Sequence, residues 1–90
     1  EEVRSNIDSI DREIVGLLAE RGDYVKQAAR FKKTTEEVDA PRRVEQVIEK
    51  AVARAGECGA DPVVVERVYR AMIGAFIEAE RAEHANLAKR

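Results

Sequence analysis

Residues 3–33 read VRSNIDSIDREIVGLLAERGDYVKQAARFKK, and the architecture follows from how their apolar members are spaced. Val3, Ile7, Ile10, Ile14 and Leu17 succeed one another in steps of four and three, with Leu18 alongside. That is the seam of an amphipathic helix, not the alternation of a strand. The seam continues through Val25 and Ala28 toward Lys32, with no proline and only Gly16 and Gly22 as weak points. The spacing predicts one helix over residues 3–33. Thr34 to Ala40, with two threonines and three acids, breaks the pattern and reads as a polar connection.

Pro41 stands where a second helix can begin, because a first-turn residue needs no N–H partner. Val44, Val47, Ile48, Ala51, Val52 and Ala55 continue that helix until Gly56 and Gly59 stop it. Asp61-Pro62 restarts the chain as N-cap and first-turn proline. Val65, Val68, Met72, Ile73, Phe76 and Ile77 then carry a third helix to about Leu87. No segment alternates with period two. The expected class is all-α, with residues 1–90 forming a single domain of three helices.

A 30-residue helix is about 45 Å long, whereas a compact chain of this length has a radius of gyration of about 12 Å. The first helix must overhang its own domain and expose a seam. A domain this small also buries only about 60% of its unfolded surface, so a lone protomer is marginal. A second copy is the simplest cover. The expectation is an intertwined helical-bundle homodimer.

Composition excludes several kinds of function. The single Cys58 cannot form an internal disulfide, which suits a reducing cytoplasm. One cysteine and one histidine, His84, cannot build the usual zinc site, so no metal is expected. No run approaches the ~20 apolar residues of a membrane span. A formal charge of -2 argues against a nucleic-acid partner, though not against a local basic pocket.

Some charges fall where apolar residues belong. The seam reads Ile14, Leu17, Arg21, Val25, Ala28, Lys32, so two of these positions are cationic. Arg21 and Lys32 return to nearly the same face about 16 Å apart. Each alone reads as a cation snorkelling at the edge of the core; the pair fits an anion pocket as well. Arg4 is rotated about 100° from that face and far along the helix axis. It is either solvated or supplied to a neighbouring subunit. Glu80 ends the apolar seam of the third helix, where it can pair with a cation, close the helix in solvent, or be held protonated. Arg43, in the first turn of the second helix, is poorly placed for the helix dipole. No phosphate loop, nucleophilic triad or histidine base can be argued, so the chemistry left is that of a preorganised cationic pocket.

The segments RSNIDSID (Arg4 to Asp11), LLAERGDYVKQAARFK (Leu17 to Lys32) and APRRV (Ala40 to Val44) resemble the all-helical chorismate mutase family, especially its isochorismate pyruvate lyase-like branch. Asp61 to Glu80 matches more weakly. The resemblance implies an intertwined dimer with two equivalent sites, a dicarboxylate substrate and no cofactor. It implies that Arg4 enters from the partner to bind a carboxylate, and that Arg21 binds one within its own protomer. Lys32 would donate to the ether oxygen of the enolpyruvyl group, and Arg43 would add positive charge. Glu80 occupies the place of a glutamine that also donates to that oxygen.

These roles suit the chemistry. Chorismate is a dianion, and its rearrangement to prephenate needs the side chain held over the ring and the growing charge on the ether oxygen stabilised. Arginine matches carboxylates bidentately, and lysine suits a point charge. Three departures from the family pattern stand out. Ala40 and Val44 replace acids, the second of which contacts the ring hydroxyl, and here both are apolar as in the lyase-like branch. Phe76 replaces a serine. Glu80 can donate a hydrogen bond only in its protonated form. The leading expectation is chorismate mutase in aromatic amino-acid synthesis. Alternatives are elimination of pyruvate from isochorismate to give salicylate, a mutase acting on the amino analogue of chorismate, and a non-catalytic helical dimerisation module.

Overall fold

A computed structural model describes residues 1–30 and 41–88. The expected polar connection, Lys32 and Ala40 lie outside the described residues. Among the described residues there are three helices, α1 (Glu2–Ala29), α2 (Pro41–Cys58) and α3 (Pro62–Ala88), and no strand. The all-α expectation holds.

Helix boundaries follow local chemistry. Pro41 opens α2 as the sequence predicts. Asp61 caps α3: its Oδ1 accepts the Val63 N–H at 2.9 Å and its carbonyl accepts the Val65 N–H at 3.0 Å. Two boundaries differ from the sequence reading. Helix α1 closes at Ala29, short of the expected Lys33. Gly56 does not stop α2, which runs through it to Cys58. The stop is Gly59, at φ 75°, with the Ala60 N–H donating back to the Ala55 carbonyl at 2.9 Å. That is a Schellman closure, and it needs the left-handed conformation that glycine adopts without steric cost.

The longest dimension of the protomer is 50 Å and its radius of gyration 15.5 Å, well above the ~12 Å of a compact chain of this length. Helix α1 is the cause, because 28 residues of helix span about 42 Å. Helices α2 and α3 pack together, and their outer surfaces are clamped by Arg70. Its guanidinium donates to both carboxylate oxygens of Glu45, at 3.0 and 3.2 Å, and to Glu66 at 3.0 Å. These hydrogen bonds hold the Glu45 carboxyl below its ordinary range.

The apolar core among the described residues is thin: Ala29, Ile48, Ala55 and Ile73. The seam of α1 contributes nothing to it. Ile7, Ile10, Ile14 and Leu17 remain 50%, 54%, 48% and 62% exposed. The expected continuation of that seam is half-buried at Arg21 and Val25 and departs at Ala28, which is exposed where its neighbour Ala29 is buried. What faces the rest of the protomer is a second stripe, Leu18, Gly22, Val25 and Ala29, offset by one residue. One residue is about 100° of helix rotation.

Candidate functional site

The second stripe brings α1 against α3 at Gly22. A Cβ placed there would lie 3.3 Å from Cε1 of Phe76, so the two helices approach as closely as they do because residue 22 has no side chain. Gly16, by contrast, faces open space. The sequence marks both glycines only as weak points in a helix; the structure separates them.

Above this contact lies an open, apolar cavity of about 640 Å³ between Ile14, Leu17 and Leu18 of α1 and Val68 and Met72 of α3. Arg21 is the one charged side chain in its lining among the described residues. Its Cζ sits 5.0 Å from the centroid of the Phe76 ring, within the ~6 Å reach of a cation–π contact. No carboxylate among the described residues forms a salt bridge with Arg21. A half-buried guanidinium with this surrounding is suited to an external anion.

Below Phe76 is a smaller cavity of about 130 Å³, with Lys26, Glu80 and Glu83 in its wall beside Gly22 and Ala29. Glu80 is 8% exposed and is the buried charged residue of the described chain. Arg21 and Glu80 therefore flank a single ring. The sequence reading missed Lys26. Its signal was the pair of small residues Gly22 and Ala29, seven apart, which marks the face of α1 turned to α3.

The other expected site residues are not gathered here. Arg4 is exposed in the first turn of α1, about 25 Å from Arg21 along the helix axis. Arg43 is exposed in the first turn of α2 and lines neither cavity. Val44 beside it is half-buried. Among the described residues no group of three or more His, Cys, Asp or Glu could hold a metal ion, and no helix is long and apolar enough to cross a membrane.

Residues 3–81 match the family model described as chorismate mutase type II. An isochorismate pyruvate lyase of Pseudomonas aeruginosa is 38% identical over 76 residues, which cover 84% of this chain and 75% of that protein.

Proposed function

The chain belongs to the chorismate mutase type II family, and on that footing we propose that it rearranges chorismate to prephenate in a cationic pocket shared between two copies. The family and the relative together mark it as an enzyme of the chorismate mutase or isochorismate pyruvate lyase type. The observation that carries the finer reading is Arg21, a lone charge in the wall of an apolar cavity. Such a site binds a molecule that is anionic at one end and carbocyclic at the other.

In this reading the two-copy assembly is obligatory. Val3, Ile7, Ile10, Ile14 and Leu17 form an exposed seam; a second α1 covers its outer part, and Ile14 and Leu17 bring it to the cavity that Arg21 lines. Arg4 lies too far along α1 to serve its own Arg21, so Arg4 of the second copy completes the carboxylate clamp. Residues 1–90 act as one domain of this dimer, in the reducing cytoplasm that a lone Cys58 suits.

Catalysis then needs no covalent intermediate and no cofactor. The two arginines hold the dianion folded, so that the enolpyruvyl methylene meets the ring carbon as the ether C–O bond breaks. Lys32 donates to the ether oxygen as charge grows there, Glu80 donates beside it when protonated, and Arg43 adds positive potential.

Elimination of pyruvate from isochorismate is the second reading, favoured by the relative's activity and by apolar Val44 where mutases of the resembling pattern carry an acid. The deciding experiment offers the purified chain chorismate and isochorismate separately. Prephenate from the first supports the mutase, and salicylate plus pyruvate from the second moves the assignment to the lyase. Turnover of neither, with no binding of a bicyclic dicarboxylate analogue, leaves a non-catalytic helical dimerisation module.

A further inference from the structure

Phe76 lines both cavities. Its ring carries the Arg21 guanidinium at 5.0 Å and is backed by Gly22, where a Cβ would meet it at 3.3 Å. Sequence spacing assigns Phe76 only to the apolar seam of α3. The structure gives it a contact that an aliphatic residue could not make.

We propose that Phe76 is a positioning residue for Arg21: its ring fixes the guanidinium at the cavity wall, ready to take a carboxylate. The inference rests on the reading of Arg21 as the substrate-carboxylate ligand. An arginine side chain loses rotamer freedom when fixed, and a site gains affinity when that loss is met before the ligand arrives. A carboxylate partner would also fix Arg21, but it would neutralise the charge and occupy the donors that the substrate needs. An aromatic face restrains the guanidinium and leaves its charge for the ligand. Gly22 is part of the same device, because its missing side chain lets α1 approach until Arg21, one residue earlier, reaches the ring.

The prediction concerns binding rather than the chemical step. Two variants of the full chain separate the cation–π contact from simple packing. Phe76→Leu keeps an apolar side chain without a ring, and pentafluorophenylalanine at position 76 keeps the ring while removing the electron density of its face. In steady-state assays with chorismate and with isochorismate, both changes raise KM about five-fold, the equivalent of ~1 kcal/mol for a cation–π contact, while kcat stays within about two-fold. The upfield ring-current shift of the Arg21 Nε–H proton disappears in the leucine variant. An unchanged KM in the fluorinated protein, or a loss confined to kcat, overturns the proposal even if the leucine variant fails to fold. A wild-type chain that turns over neither substrate overturns the carboxylate reading of Arg21 itself, and this inference with it. That result is distinct from an active enzyme indifferent to the ring.

Discussion

From Val3 to Ile10, α1 turns its apolar seam to solvent, and Ile14 and Leu17 carry that seam to the open cavity; from Leu18 to Ala29 the same helix turns a neighbouring stripe into α3. The two stretches share a helical periodicity, yet Ile10 is 54% exposed and Ala29 is 1% exposed. The difference lies in phase and side-chain size. The seam of large residues ends at Leu17, and the stripe that takes over contains Gly22 and Ala29, small enough for α3 to come close. Arg21 stands where the two stripes meet. One face of α1 is thus free to build an assembly while the next builds a site, and the residue between them can serve both.

The largest expected effect comes from breaking the first stripe. Ile10→Asp puts a charge on the exposed seam twice in a symmetric pair, and each replacement forfeits about 2 kcal/mol of side-chain burial. The dimer dissociation constant should rise roughly 1000-fold, measured by sedimentation equilibrium, with activity falling in parallel. An undiminished dimer would show that the seam is covered by something other than a second copy.

The second stripe is sharpened at Glu80. In the proposed role only the protonated carboxyl donates to the ether oxygen, whereas Glu80→Gln carries a donor at every pH. At neutral pH the variant should therefore exceed the wild type in kcat/KM for chorismate by about ten-fold, the worth of one hydrogen bond to a charged oxygen. A variant no faster than the wild type would remove Glu80 from that role.

The smallest effect compares the two glycines. Gly16→Ala meets open space and should gain about 1 kcal/mol of helix stability, raising Tm by roughly 4–8 °C with KM unchanged. Gly22→Ala gains the same helix propensity but presses on Phe76, so its KM for chorismate should rise about two-fold or more. Equal KM values for the two variants would mean that the close approach at Gly22 does nothing for Arg21.

Most of the fold is legible in the sequence because its signals are local. Pro41 and the Asp61-Pro62 pair mark helix starts, and the steps of three and four mark α1. Local signals mislead where two of them compete, as at Gly56 and Gly59, since only the backbone conformation tells which glycine ends α2. The phase change after Leu17 is invisible for another reason. Either stripe satisfies helical periodicity, and choosing between Ala28 and Ala29 requires knowing what lies opposite. The site follows the same rule. Arg21 and Glu80 stand out as charges on apolar seams, which is a local anomaly. The Phe76 contact and the presence of Lys26 beside Glu80 depend on how α1 and α3 meet, 50 or more residues apart in the chain. The resemblance to the chorismate mutase family carried the roles of Arg4, Lys32 and Arg43, which spacing alone did not assign.

In the proposed dimer each site is built from two copies, Arg21 from one and Arg4 from the other. Arg4→Ala and Arg21→Ala homodimers should each be nearly inactive. Unfolded together and refolded at equal concentration, half of the dimers are mixed, and each mixed dimer holds one intact site and one doubly damaged site. About a quarter of wild-type activity should return, the statistical yield for a two-fold dimer. No recovery in dimers verified as mixed by native mass spectrometry would contradict it.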